Sequence, residues 1–117
     1  MSLDSGVELA RDGFVRVAGI ADIPPGARTL IDLEEETIAI FNIDGELYCI
    51  ADVCTHDGGP LADGDVRGCE IECPRHGARF DLRTGAALSL PAVIAVPTYE
   101  ARVVGDAIYV KVPRNAW

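Results

Sequence analysis

The chain has 117 residues, 49% hydrophobic and 25% charged, with a formal net charge of −9. This length suits a modest core, so we predict a single domain spanning residues 1–117. The acidic balance argues against nucleic acid or an anionic membrane as a partner. No run approaches the roughly 18 apolar residues of a membrane-spanning helix. The N-terminal stretch is too acidic for a signal peptide, so we expect a soluble, cytoplasmic protein.

The negative charge is concentrated in the N-terminal half. Residues 1–53 carry eleven acidic and three basic side chains, whereas residues 54–117 carry eight and seven. Such a cluster is explained by a solvated, solubilising face. The alternative is electrostatic steering toward a basic redox partner.

Short strand-like runs alternate with turn signals along the chain, and no segment has sustained helical periodicity. Asp44-Gly45 and Gly105-Asp106 each predict a two-residue hairpin, because such turns need positive φ. Gly64–Gly68 is predicted to separate two short segments. The sequence therefore predicts an all-β antiparallel sandwich or barrel with one long excursion, about residues 54–92. The other predicted strands and turns are Phe14–Val17, Pro24-Pro25-Gly26, Arg28–Leu33, Thr37–Ile43, Leu47–Ile50, Arg83-Thr84-Gly85, Ala101–Val104 and Ala107–Val112.

The excursion carries two short motifs, each with one cysteine and one histidine. Cys54-Thr55-His56 is followed after sixteen residues by Cys73-Pro74-Arg75-His76, and these are the only two histidines of the chain. Two turns closed against each other would bring two sulfurs and two imidazole nitrogens to one point. The glycines beside them suit either a close approach of backbone N–H to sulfur or plain turns; they are Gly58, Gly59 and Gly77.

Three explanations of this pattern compete. The four residues could fall near one another by chance, as surface histidines and core cysteines. A tetrahedral zinc ion can take two cysteines and two histidines, although its usual motifs are C-x2-C and H-x3–5-H. A Rieske-type 2Fe–2S cluster uses two histidines in place of two cysteines on one iron. The spacing favours the cluster, and a zinc-binding module is the alternative of a different class.

The segments CTHDGGPL and CPRHGARFD resemble the two cluster-binding boxes of Rieske ferredoxins, and the similarity extends over the whole chain. This resemblance implies a Rieske-type iron–sulfur domain, with a β-sandwich or barrel base and a cluster-binding loop subdomain. It implies that Cys54 and Cys73 bind an inner iron of one 2Fe–2S cluster. It likewise implies that His56 and His76 bind the outer iron through their δ nitrogens, and that a third loop around Pro91 shields the cluster.

Two departures from the Rieske pattern concern the properties of the cluster. Rieske proteins of cytochrome bc complexes have two further cysteines that bridge the loops, where this chain has Gly59 and Arg75. High-potential members have a serine and a tyrosine whose hydroxyls donate to the cluster sulfurs, where this chain has Ala78 and Phe80. Fewer donors stabilise an added electron less, so we predict a potential at the low end of the Rieske range, on the order of −150 mV.

The motifs predict an electron carrier rather than an enzyme. The large subunits of Rieske oxygenases hold a further iron with two histidines and a carboxylate, and this chain has no histidine left for it. A Gly-rich dinucleotide fingerprint after a strand is also absent from the sequence. The resemblance implies the ferredoxin component of a ring-hydroxylating oxygenase, between a flavin-dependent reductase and a terminal oxygenase. Service to a nitrite reductase or to iron–sulfur assembly is the alternative.

Four further side chains, two cysteines and two arginines, have no predicted role as ligands. Cys49 lies in an alternating strand and is expected to be a small buried hydrophobe. Cys69 is expected to be partly exposed, and the two should not pair, because cytosolic thiols normally stay reduced. Arg75 and Arg79 lie on either side of His76 in the second box, where they either orient a partner or solvate the loop.

Overall fold

The computed structural model describes residues 13–33 and 36–111, and every structural statement below concerns these ranges. They form ten strands: β1 Phe14–Gly19, β2 Arg28–Asp32, β3 Thr37–Ile43, β4 Glu46–Ala51, β5 Val66–Arg67, β6 Glu70–Glu72, β7 Arg79–Asp81, β8 Thr98–Tyr99, β9 Ala101–Val104 and β10 Ala107–Lys111. The predicted end of the last strand at Val112 lies outside the described residues.

The strands form three antiparallel sheets, which confirms the all-β prediction. Their orders are β1-β10-β9, β2-β3-β4-β8 and β5-β6-β7. Helical structure in the described ranges is limited to a 3-10 turn at Ile20–Asp22. Within the same ranges, no helix has the length and apolarity needed to cross a membrane.

Strand β3 is buried on both faces, and its alternating side chains join two separate hydrophobic clusters. Ile38 and Ile40 pack with Ile108 and other residues between the first two sheets. Ala39 and Phe41 point the opposite way and join the cluster formed with the excursion. Because successive side chains of a strand point to opposite faces, one apolar strand connects the base to the segment carrying the candidate ligands.

Both predicted hairpins are confirmed, although their turns differ. Asp44 and Gly45 have φ of 55° and 96°, as a type I′ turn requires. At the second hairpin only Gly105 has positive φ, at 63°, which is the pattern of a type II′ turn. Both turns set the registers of their strands, with Ile43 opposite Glu46 and Val104 opposite Ala107.

The third sheet lies in the excursion, and it corrects the prediction that Gly64–Gly68 separates two short segments. The Gly64–Gly68 stretch contains strand β5, which pairs with β6 through Val66 opposite Ile71 and Arg67 opposite Glu70. Gly64 is needed for close packing rather than for a turn alone: a Cβ there would lie 1.8 Å from the carbonyl oxygen of Glu72. The end of the first loop therefore rests directly on the strand that leads to the second box.

Candidate metal centre

The two cysteine–histidine boxes have the same backbone framework. The carbonyl of Cys54 accepts a hydrogen bond from Gly58 N–H at 2.7 Å, and that of Cys73 from Gly77 N–H at 3.0 Å. Both glycines have φ of 77°, which strains any residue with a side chain. The N–H of each cysteine donates to the carbonyl five residues later, at 2.8 and 2.7 Å. The glycines thus close matching turns that present the cysteines in equivalent positions.

The structure brings the predicted ligands together as two pairs. The sulfurs of Cys54 and Cys73 lie within 4.8 Å of one another and of a carboxylate oxygen of Asp57. The imidazoles of His56 and His76 meet the same limit with Asp57, and their rings are edge-on with centroids 5.1 Å apart. The cysteines are buried and the histidines exposed, so the sulfur pair lies inside the protein and the imidazole pair faces solvent.

The surroundings of Cys54 favour a charged sulfur only in part. Burial raises the pKa of the Cys54 thiol, while hydrogen bonds from the backbone N–H groups of His56 and Asp57 act in the opposite direction. A buried thiolate needs such donors and a positive partner to be stable. The turn that follows Cys54 supplies the donors, and a bound metal would supply the positive charge.

The burial of the other two cysteines, Cys49 and Cys69, agrees with the sequence predictions. Cys49 is buried, and its burial raises the pKa of the thiol to about 12. Cys69 is half-buried, and neither residue forms a disulfide. The predicted burial of Cys49 and the predicted partial exposure of Cys69 are confirmed.

Asp57 and Arg75 are the residues whose importance the sequence did not reveal. The Asp57 carboxylate accepts hydrogen bonds from Arg75 Nε at 2.6 Å and Nη2 at 2.9 Å. These bonds hold the pKa of the Asp57 carboxyl well below its usual range. Neither predicted role of Arg75 anticipated this contact, whereas the side chain of Arg79 is half-exposed, with Nε 3.9 Å from Glu70. The available signal was that opposite charges adjoin the two histidines.

Polar contacts with the base fix the end of the first loop. The Asp52 carboxylate accepts hydrogen bonds from the N–H groups of Leu61 and Ala62, at 2.8 and 2.7 Å. Arg28, on strand β2, donates through Nη1 to the carbonyls of Ala62 and Gly64. The first box is therefore held at both ends, by Cys54 in the hydrophobic cluster and by these bonds.

A third loop, residues 88–94, contacts both boxes. Thr55 Oγ1 donates to the carbonyl of Ile94 at 2.5 Å, and the N–H of Arg79 donates to Ser89 Oγ at 2.9 Å. Ala92 is buried in the cluster that contains both box cysteines. The loop nevertheless exposes three large apolar side chains: Leu90 at 77%, Val93 at 75% and Ile94 at 63%. An apolar surface of this kind beside exposed histidines is typical of a protein-binding site.

The donor set fits a 2Fe–2S cluster of the Rieske type. Such a cluster takes thiolates on one iron and imidazoles on the other, and the site offers one buried sulfur pair and one exposed imidazole pair. The Asp57 carboxylate, which lies near both pairs, is hydrogen-bonded to Arg75 and lies 3.5 Å from Nδ1 of His76. This arrangement suits one-electron redox chemistry with the histidine side toward solvent.

Comparisons with known proteins agree with this geometry. Residues 13–100 match the Rieske [2Fe-2S] domain family. The 3-phenylpropionate/cinnamic acid dioxygenase ferredoxin subunit of Escherichia coli (strain K12) is 40% identical over 95 residues, 80% of this chain and 89% of that protein.

Two solved structures are also similar. The ferredoxin of carbazole 1,9a-dioxygenase from Nocardioides aromaticivorans superimposes with a TM-score of 0.78 at 36% identity, covering 83% of this chain and 95% of that one. A chain of the complex of reduced oxygenase and oxidized ferredoxin in carbazole 1,9a-dioxygenase gives a TM-score of 0.80 at 28% identity, covering 86% and 94%. Sequence, fold and donor set lead to one conclusion: the chain belongs to the Rieske [2Fe-2S] domain family.

Proposed function

We propose that the chain, acting as a single domain, is a soluble cytoplasmic electron carrier with one Rieske 2Fe–2S cluster. Cys54 and Cys73 hold the inner iron, and His56 and His76 the outer iron. The carrier serves a multicomponent ring-hydroxylating dioxygenase system, between a flavin-dependent reductase and a terminal oxygenase. The observation that carries this proposal is the pairing of buried sulfurs with exposed imidazoles in adjacent, matching loops.

The protein contributes position, shielding and access. When bound, the cluster supplies one-electron redox chemistry. The burial of Cys54 and Cys73, at 0% and 1% exposure, keeps water from the sulfurs. His56 and His76 face solvent, so a partner protein can approach them closely. The backbone N–H groups of His56 and Asp57 donate toward the sulfur of Cys54 and stabilise negative charge there.

The relatives support the dioxygenase system over the other carrier roles. The E. coli relative is a dioxygenase ferredoxin subunit that shares 40% identity with this chain. A similar chain occurs in a complex of oxygenase and ferredoxin. We therefore propose a terminal oxygenase as acceptor and a flavin-dependent reductase as donor. A cytoplasmic location agrees with cysteines that remain free of disulfides.

Electron delivery tests the proposal directly. The purified holoprotein should take up one electron per chain in an anaerobic dithionite titration and show a rhombic signal when reduced. A flavin reductase and a terminal oxygenase from the same organism should then reduce and reoxidise it, and omission of the carrier should stop product formation. A colourless protein with one zinc per chain would contradict the cluster. Normal turnover without the carrier would contradict the role.

The exposed apolar side chains of the third loop should form part of the docking surface. Replacing Leu90 and Val93 together by serine is expected to slow electron transfer to the oxygenase about fivefold to tenfold, because the complex would lose the apolar surface that these side chains bury on binding. Stopped-flow reoxidation of the reduced carrier measures this rate. The visible spectrum and the potential should remain unchanged.

A matched control is available on strand β2. Leu30 is also half-exposed, at 50%, but it lies in the base rather than in the third loop. Leu30→Ser should transfer electrons at the wild-type rate. If Leu30→Ser and the double variant slow the reaction equally, the third loop has no special role in docking.

A further inference from the structure

One side chain, Arg75, makes hydrogen bonds to both cluster loops at once. On the first loop its Nε and Nη2 donate to the Asp57 carboxylate, and Nη1 donates to the carbonyl of Pro60 at 2.6 Å. On its own loop Nη2 also donates to the sulfur of Cys73 at 3.3 Å. These four bonds use the guanidinium as a rigid fork, a geometry that lysine cannot reproduce.

The first loop is shaped to receive this group. A Cβ on Gly59 would lie 2.7 Å from Arg75 Cζ and 2.9 Å from Nε, so the bare glycine leaves room for the flat guanidinium. The N–H of Gly59 also donates to Asp57 Oδ1 at 2.9 Å, which fixes the carboxylate that Arg75 binds. Side-chain exposures are 34% for Arg75 and 21% for Asp57, so the pair is partly shielded from water.

We propose that Arg75 is a positioning residue that locks the two cluster loops together non-covalently and donates a charge-assisted hydrogen bond to the Cys73 sulfur. This inference rests on the proposed ligand role of Cys73. Arg75 and the glycine that leaves room for it, Gly59, stand at the two positions where Rieske proteins of cytochrome bc complexes have their bridging cysteines.

The two effects of Arg75 have different physical consequences. A link between the loops slows the opening that lets iron escape. A charge-assisted bond to sulfur strengthens when the sulfur becomes more negative, so it favours the reduced protein. One effect is therefore read from the stability of the cluster and the other from the potential, and neither readout requires an oxygenase.

The experiment compares Arg75→Gln with Arg79→Gln in the holoprotein. Arg79 has the same charge in the same box, but its side chain is directed toward Glu70, with Nε 3.9 Å from that carboxylate. Loss of visible absorbance in the presence of an iron chelator should be about fivefold to tenfold faster in Arg75→Gln than in Arg79→Gln. The preference for the reduced state should fall by up to about tenfold, a downward shift of up to about 59 mV for one electron.

Two further variants separate the lock from the donor. Asp57→Asn weakens the lock but leaves the bond from Arg75 to Cys73, so it should speed cluster loss without lowering the potential. Arg75→Lys keeps the charge without the fork, so it too should lose the cluster faster than Arg79→Gln. If Arg75→Gln does not bind a cluster, Asp57→Asn and Arg75→Lys test the lock in its place.

The outcomes distinguish this inference from the proposed function. If the Arg75 and Asp57 variants lose the cluster no faster than Arg79→Gln, Arg75 is not a lock. If the potentials of Arg75→Gln and Arg79→Gln agree, it is not a donor. Either result would leave a working electron carrier, whereas a wild-type chain that never holds a 2Fe–2S cluster would contradict the proposed function itself.

Discussion

His76→Ala is expected to abolish the visible absorbance of the cluster and to leave less than about one tenth of the wild-type iron, since even changes outside the ligand shell cost 10–100-fold in metal affinity. His56→Ala should behave alike, because the two exposed imidazoles form one pair with ring centroids 5.1 Å apart. Loss of either leaves an iron open to water on the solvent side. Iron analysis and the rhombic signal of the reduced protein measure the result, and circular dichroism verifies the β fold.

Three control variants make this prediction specific. Cys49→Ala and Cys69→Ala remove the cysteines outside the boxes and should retain full iron. Asp57→Asn should also bind full iron when the cluster is loaded and lose it faster only in the presence of a chelator, because the carboxylate, although within 4.8 Å of both ligand pairs, is hydrogen-bonded to Arg75. If Asp57→Asn loses the iron while a histidine variant keeps it, Asp57 is a ligand and the proposed set is wrong.

The candidate site could be predicted from sequence because its proposed ligands lie close together in the chain. Cys54 and His56 are two residues apart and Cys73 and His76 three, and each pair is followed within two residues by a glycine that a tight turn requires. The hairpin at Asp44-Gly45 was predictable for the same reason, since positive φ is a property of a few residue types. Features that depend on only a few neighbouring residues can therefore be predicted from the local sequence.

Features that depend on distant contacts could not be obtained this way. The bond between Arg75 and Asp57 joins residues eighteen positions apart, and although each lies next to a histidine, the sequence does not show that the two side chains meet. Strand β5 has only two residues, beside Gly64 and Gly68, and tertiary pairing with β6 overrides their turn preference. The apolar pattern of β3 predicted a strand, but which cluster each face joins depends on sheets that form elsewhere in the chain.

The midpoint potential of the cluster should be low in the wild-type protein and should rise when hydroxyl donors are introduced. Ala78 and Phe80 are both fully buried, at 0% exposure, and the N–H of Cys73 donates to the carbonyl of Ala78 at 2.7 Å. A hydroxyl at either position would therefore lie in the second box. A hydrogen bond to a charged group contributes about 1.5–3 kcal/mol, and about 1.4 kcal/mol is equivalent to about 59 mV for one electron.

Ala78→Ser and Phe80→Tyr should consequently each raise the midpoint potential by roughly 60 mV, from a wild-type value on the order of −150 mV. Ala62→Ser is the matched control, because Ala62 is buried in the same cluster but lies outside the boxes, and its potential should stay at the wild-type value. A wild-type potential above about zero in voltammetry would contradict the prediction of a low-potential carrier. Equal shifts in all three variants would instead mean that added polarity, rather than a directed hydroxyl donor, sets the potential.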